Sequence, residues 1–292
     1  MAQPVRHANE AGTEEPDLVF DIGMHVGDDT AYYLMRGHRV VAVEANPVLV
    51  EHARARFPEA LSAGRLRMVQ AAVVGRSGAP VTFHLSQQRD RSSLDKAGAS
   101  QGGYAGSIEV ETLTLLELVR RFGLPLYCKI DIEGGDLDAL RSLQDASVRP
   151  RYISVETGGL PGEPAVYGGE GALATLEQLE RLGYARFKLV DQHTLQVLRP
   201  RRRFYSRSRT PLDRLADLMH RPRETWRRRA LYHRLGHHFS HSSSGPFGED
   251  LGGRWLDYDA ARRLLLYHAA DYLATPAPPR VSYLCDWHAK RA

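Results

Sequence analysis

Apolar residues in the first two-thirds of the chain come in short runs set apart by turn residues. Residues 18–22, 40–43, 66–74, 126–132, 152–156 and 185–191 each read as a buried strand, and residues 81–85 alternate apolar and polar like a half-exposed one. Between the runs lie helix signals. Asn46-Pro47 supplies an N-cap followed by proline in the first turn, opening a helix that runs to Phe57 before Pro58. Thr114-x-x-Glu117 is a capping box for a helix ending near Gly123, residues 138–143 are helical, and residues 172–182 form a helix stopped by Gly183. Strand and helix in alternation predict an α/β fold with a mostly parallel sheet. Residues 86–107 read as a long Gly/Ser-rich loop, and the alternation ends after His193. Residues 281–287, apolar and aromatic, read as a last strand returning to the sheet.

This divides the chain into a flexible N-terminus (1–16), a core (17–194), a helical and looped cap over the sheet edge (195–280) and a final core strand with the C-terminus (281–292). Charge sharpens the division. The net charge is +4, but between Arg199 and Arg234 thirteen Arg face only Asp213, Asp217 and Glu224, so that segment carries +10 and the remainder −6. Residues 1–16 carry Glu10, Glu14 and Glu15 and no apolar core, unlike a secretory signal, and no later run approaches the ~20 apolar residues of a membrane span. The two cysteines, Cys128 and Cys285, each sit in an apolar run and read as reduced core thiols. The expectation is a cytoplasmic protein with no membrane partner.

Candidate chemistry begins where the first strand ends. Asp21-x-Gly23-x-x-x-Gly27 is a glycine turn opening into a helix, with free N–H groups at the helix start. It fits neither the dinucleotide fingerprint nor the P-loop, and Asp28-Asp29 beside it favour a cationic ligand such as S-adenosylmethionine over phosphate. Glu44 closes the second strand, where an acidic side chain accepts from ribose hydroxyls. Ala71 and Ala72 leave room for an adenine ring. Lys129, Asp131 and Glu133, spaced by two, are expected to leave one face of the fourth strand together; Glu156 ends the fifth and His193 follows the sixth. His233, His237, His238 and His241 lack the accompanying pattern of a zinc site and read as a basic surface.

Five stretches in order, Val19-Phe-Asp-Ile-Gly23 with Gly27 and Thr30, Val43-Glu-Ala-Asn-Pro47, Arg91-Ser-Ser-Leu94, Thr114-Leu-Leu-Glu-Leu118 and Lys129-Ile-Asp-Ile-Glu-Gly134, resemble the FkbM family of S-adenosylmethionine-dependent methyltransferases over about residues 17–193. The resemblance implies a class I, Rossmann-like methyltransferase fold: a mostly parallel seven-stranded sheet with helices on both faces, the cap inserted before the last strand. It implies that Asp21, Gly23 and Gly27 hold the amino acid end of S-adenosylmethionine, Glu44 its ribose and Ala71 or Ala72 its adenine. Asp28, Thr30, Ala45, Asn46, Ser93 and Asp131 complete the expected cofactor set, with His25 a donor to the cofactor or a substrate contact, since many relatives have Ala-Asn at Met24-His25.

It also implies O-methylation of a small-molecule hydroxyl in secondary metabolites or sugars. The catalytic candidates are Lys129, Asp131, Glu133, Glu156 and His193, with Asp131 the first choice of base. The same carboxylates offer hard ligands for Mg²⁺ against a diol, a less favoured arrangement, and no metal residues are assigned. Two rivals stand beside this reading. One is an RNA methyltransferase, motivated by the Arg-rich segment but opposed by Ile-Asp-Ile-Glu-Gly where base-nitrogen methylating enzymes carry Asn/Asp-Pro-Pro-Tyr, so nucleic acid is not a favoured partner. The other is a non-catalytic S-adenosylmethionine-binding module. A homodimer is compatible with the sequence.

Overall fold

A computed structural model describes residues 14–87, 92–157, 171–199, 220–240, 243–273 and 284–292. The elements in chain order are β1 (Glu14–Ile22), α1 (Asp28–Met35), β2 (Arg39–Glu44), α2 (Pro47–Arg56), α3 (Pro58–Ser62), β3 (Leu66–Gln70), β4 (Ala72–Val73), β5 (Val81–Ser86), α4 (Lys96–Gln101), β6 (Tyr104–Val110), β7 (Thr112–Leu113) and α5 (Leu115–Phe122). There follow β8 (Leu124–Ile130), α6 (Asp136–Arg141), β9 (Tyr152–Glu156), α7 (Gly171–Arg181), β10 (Tyr184–Asp191), β11 (Gln196–Val197), α8 (His220–Leu235), α9 (Tyr258–Leu273) and β12 (Cys285–Arg291).

The main sheet has the order β11-β10-β12-β9-β8-β1-β2-β3. β1 pairs in parallel with both β2 and β8, Phe20 lying opposite Val41 and Cys128. β12 runs antiparallel between β9 and β10. The chain therefore steps outward from β1 to β3 and returns to the other side of β1 at β8. That reversal opens a crevice at the carboxyl ends of β1 and β8, where ligands bind in open α/β sheets. The sheet has eight strands rather than the expected seven, because the turn after β10, with Leu195 at φ 55, folds the two-residue β11 back on β10.

Period-two alternation gives the sheet two unlike faces. Ile22, Ile130, Val155, Leu189 and Trp287 point to an apolar layer shared with α5, α6, α7 and α9. The residues between them, Asp21, Lys129, Ser154, Lys188, Asp286 and His288, are buried on the opposite face, which is covered by Tyr32 and Tyr33 of α1, Phe239, and the partly buried Phe247 and Trp255. Tyr127 stacks on Phe247 at 4.0 Å and bonds Ser154 through its hydroxyl at 2.6 Å. Burial holds Lys188 down at about 8 and His288 down at about 3, so the imidazole is neutral inside the fold.

Several sequence expectations change. β1 begins at Glu14, not after residue 16: Arg39 pairs with Glu15 and with Asp17 at 2.7 Å, and Arg291 holds Glu14 at 2.9 Å. Residues 1–13 lie outside the described set. The third strand breaks at Ala71, after which β4 leaves to pair with β7. The expected loop 86–107 contains α4 and much of β6, which forms a hairpin with β5. The cap is shorter than expected, since Ala261, Leu264, Leu265 and Ala269 of α9 belong to the apolar layer of the core. The last strand runs from Cys285 rather than from residue 281, and residues 281–283 are not described. Cys128 and Cys285 are both buried, and neither forms a disulfide. Among the described residues no helix is long and apolar enough to cross a membrane.

Candidate active site

The crevice between β1, β2 and β8 is a cleft of about 740 Å³ counting its open mouth. Of the residues named from sequence, Gly23, His25, Glu44, Ala45, Ala71, Ala72, Asp131 and Glu133 line it. Leu49, Phe83, Leu94 and Ile132 also line it and were not anticipated. Phe83 and Leu94 come from the β5 hairpin and the segment behind it, whose position over the sheet edge only the fold reveals.

Backbone geometry explains the glycine turn. Gly23 has φ +79, and a Cβ there would sit 1.7 Å from the carbonyl oxygen of Asp131. Only glycine lets the two strand ends close to this distance, so Gly23 joins the cofactor side to the carboxylate side. At Gly27, φ +83, a Cβ would strike the Phe57 ring at 2.7 Å, so that glycine serves packing and does not touch the cleft.

Glu44 accepts from the backbone N–H of His25 (2.9 Å) and of Asn46 (2.8 Å), which holds its carboxylate toward the cleft. Burial pushes it up to about 7 against those bonds. His25, at φ 54, makes this bond from its backbone and also lines the cleft. Asn46 is the N-cap of α2, accepting from Val48 N at 3.0 Å. Ser93 lies behind the lining: its hydroxyl donates to the Glu133 carbonyl at 2.7 Å while Ser92 faces the cleft.

The acidic pair after the turn does not line the cleft. Asp28 bonds Arg56 at 2.7 Å, and Asp29 is buried and held by the cap: Ser243 donates its hydroxyl, and Ser244 N (2.9 Å) and Gly245 N (3.3 Å) donate from the backbone. Burial raises Asp29 to about 6, Lys129 opposing the shift. Asp21, also buried, accepts from Thr30 Oγ1 at 2.6 Å. These residues build the floor on which Lys129 sits. Its ammonium, 2% exposed, lies 3.4 Å from Asp21, 3.6 Å from Asp29 and 3.3 Å from Asp131, and donates to the Gly23 carbonyl at 3.2 Å. Burial opposes its charge, but Asp131, Asp21 and Asp29 outweigh it and hold the ammonium well above its ordinary range. The three carboxylates thus favour the charged form of Lys129.

β8 ends at Ile130, and Glu133 takes φ 56 and Gly134 φ 106 in the turn beyond. Asp131 and Glu133 therefore leave a turn, not one face of a strand. Asp136, which sequence reasoning missed, organises that turn by accepting from Ile132 N (2.9 Å) and Gly134 N (3.1 Å); burial and Asp131 raise it to about 6. One ligand oxygen from each of Asp131, Glu133 and Glu156 lies within 4.8 Å of the others. Burial, then Asp131, Glu133, Asp136 and Asp286, push Glu156 well above the carboxylate range. Ser244 Oγ reaches Asp131 at 3.3 Å, so the cap touches this group directly. His193 does not line the cleft; its N–H bonds Asp191 at 2.9 Å and its carbonyl accepts from Arg228 at 3.0 Å. Among the described residues, the histidines at 233, 237 and 238 do not gather into a metal-binding group.

A doubly wound sheet, a cleft at its switch point, an acidic residue closing β2 and carboxylates beyond β8 define a class I S-adenosylmethionine-dependent methyltransferase. The sequence matches the methyltransferase FkbM domain over residues 21–185, more than half of the chain, and the protein belongs to that family. No curated protein sequence matches it significantly. Among solved structures it is similar to a precorrin-6y C5,15-methyltransferase from Geobacter metallireducens (15% identity over 61% of this chain and 68% of that one, TM-score 0.36). A Geobacter sulfurreducens S-adenosylmethionine-dependent methyltransferase in complex with S-adenosyl-L-homocysteine matches at 13% identity over 95% and 84%, TM-score 0.35. A geranyl diphosphate C-methyltransferase from Streptomyces coelicolor A3(2) matches at 10% identity over 97% and 76%, TM-score 0.41. Likeness at this level bears on no acceptor.

Proposed function

We propose that this methyltransferase acts on a hydroxyl of a small molecule, a secondary metabolite or a sugar, in the cytoplasm. The observation that carries the reading is the group of Asp131, Glu133 and Glu156 at the end of the cofactor cleft, with Asp131 and Glu133 in its lining. Glu44 suits the ribose, since its two backbone bonds leave lone pairs for the hydroxyls, and Ala71, Ala72, Leu49, Phe83 and Leu94 suit a flat adenine.

Bound S-adenosylmethionine supplies an electrophilic methyl on a sulfonium. The chain's part is to align the acceptor oxygen with that methyl, exclude water and take up a proton. Asp131 is the proton acceptor in this reading: it lines the cleft, and Lys129 and Ser244 fix it by its Oδ2. Lys129, shared among three carboxylates, keeps the acid group from repelling itself apart.

The RNA reading weakens on Arg228, which is 8% exposed and spends its guanidinium on the carbonyls of Gln192, His193, Phe239 and Ser240. Part of the basic segment is thus structural; Arg201, Arg202 and Arg203 lie outside the described residues. The buried, unbridged Cys128 and Cys285 suit a reducing compartment. Incubation with methyl-labelled cofactor, a panel of hydroxylated metabolites and RNA tests the proposal. Label recovered as an ether methyl on a metabolite supports it, whereas label in RNA, or in no product, overturns it.

A further inference from the structure

β8, β9 and β12 lie side by side, and their register sets three carboxylates in a row. Ile130 is opposite Val155, which places Asp131 next to Glu156, and Glu156 is directly opposite Asp286. Directly opposed residues of neighbouring strands share a face with Cβ atoms roughly 5 Å apart. The amide of Gln192 confirms the closeness of the last two, donating to Asp286 Oδ1 at 2.7 Å and to Glu156 Oε1 at 3.4 Å.

Among the described residues, Lys129 is the cation that forms an ion pair with this row, at Asp131. Lys129 divides its ammonium among Asp21, Asp29 and Asp131. Among the described residues, no Lys, Arg or His forms an ion pair with Glu156 or Asp286. Asp286 is 1% exposed, and among the described residues its Oδ2 has no hydrogen-bond partner. A buried carboxylate oxygen left so costs several kcal/mol unless something fills the place. The strand pairing and the Gln192 bridge aim this side chain at the acidic group from behind Glu156.

We propose that the end of the cleft is a binding site for one hard divalent cation, Mg²⁺, Mn²⁺ or Ca²⁺, ligated by Asp131, Glu133 and Glu156, with Asp286 adding negative charge beside Glu156. The spacing suits it: oxygens on opposite sides of one cation, bound at roughly 2.1 Å for Mg²⁺ or 2.4 Å for Ca²⁺, are about 4.2 to 4.8 Å apart, and these three residues offer oxygens within 4.8 Å of one another. All the ligands are oxygens, which suits such ions better than zinc or copper. Asp131 and Glu133 line the cleft, so a cation held by them would lie within reach of oxygens of the acceptor. A hydroxyl beside the cation would be a stronger acid, its proton passing to the Asp131 oxygen left off the cation, and two neighbouring hydroxyls would be held in one orientation. That role in transfer rests on the proposed O-methylation; the binding itself does not.

The test is a titration of Mn²⁺ into the full chain without cofactor or acceptor, followed by water-proton relaxation and calorimetry, with Mg²⁺ as competitor. One saturable site displaced by Mg²⁺ is expected. Glu156→Gln and Asp286→Asn, which keep shape and remove a like charge, should stay folded by circular dichroism and each weaken Mn²⁺ by about tenfold or more. Absence of saturable binding to the wild type below about 10 mM, weaker than extracellular Ca²⁺ modules, overturns the site, as does affinity unchanged in both variants. A chain that binds Mn²⁺ at this site yet methylates no hydroxyl refutes the proposed acceptor alone. One that methylates hydroxyls but binds no Mn²⁺ refutes the cation alone.

Discussion

The two ends of the cleft are built on opposite principles. Around β2, β4 and the β5 hairpin the lining is apolar and, among the described residues, Glu44 is the one carboxylate that faces it there, set by two backbone N–H groups. Beyond β8 the carboxylates crowd: Asp131, Glu133, Asp136, Glu156 and Asp286 lie within electrostatic reach of one another. The first end suits a flat apolar ligand met by a single carboxylate. The second gathers carboxylates whose burial and mutual repulsion raise Asp136, Glu156 and Asp286 above their ordinary range, which favours cations and proton transfer. Gly23 joins them, and the Ser243-Ser244-Gly245 segment closes over the charged end only.

The largest effect should come from the charged end. Asp131→Asn keeps shape and most bonds but accepts no proton, so single-turnover transfer at saturating cofactor should fall by about 10² to 10⁴ with cofactor affinity nearly unchanged. A variant keeping more than about a third of the rate would pass the base role to Glu133 or Glu156. Gly23→Ala should break both ends at once: with its Cβ aimed at a backbone oxygen 1.7 Å away and φ at +79, it should lower stability by about 3 kcal/mol or more, read as a fall in Tm along with lost cofactor binding. At the apolar end, Glu44→Ala should weaken cofactor binding by roughly 1 to 3 kcal/mol in calorimetry and leave Mn²⁺ affinity alone.

The pH dependence sharpens the same contrast. Burial raises Glu44 from its ordinary 4.5 to about 7. Between those values the folded chain holds a proton that the unfolded chain has released, so Glu44 makes stability fall as pH rises from 4.5 to 7. Ribose hydroxyls donate to the ionised form, so cofactor affinity should rise with pH by at most about tenfold per unit and level off above about 7. In Glu44→Gln this slope should vanish, and a slope that persists would move the effect elsewhere. The smallest change belongs to the cap. Ser244→Ala removes one 3.3 Å bond to Asp131, and about 0.5 to 1.5 kcal/mol of acceptor binding, read as a raised acceptor KM at constant cofactor affinity, is the expected loss.

Legibility followed chain distance. Gly23, Glu44, Ala45, Ala71 and Ala72 sit at the ends of short apolar runs, and the fold puts all five in the cleft. Asp28, Thr30, Asn46 and Gly27 belong to the same stretches but serve an ion pair, a buried bond to Asp21, a helix cap and a packing contact. Motif spacing marks such positions without saying which way each side chain turns. Phe83 carried no signal, because its place depends on a hairpin folding over a distant strand end. Asp286 lies 155 residues after Asp131 in a strand that reads as plain core, and only its antiparallel insertion beside β9 makes it part of the site.

By itself the sequence determined the alternation of strand and helix, the glycine turn after β1, the acidic end of β2 and the family, since each rests on local backbone preference or on residues adjacent in the chain. Tertiary structure decided the rest: which face of each strand is polar, that Lys129 is a buried countercharge for three carboxylates, that α9 is core and not cap, and that Ser243 to Gly245 lie on Asp29. These depend on strand order and on contacts between residues up to 216 positions apart. No local pattern encodes them, because the energy that selects them, burial of charge against its compensation, exists only once the chain has closed.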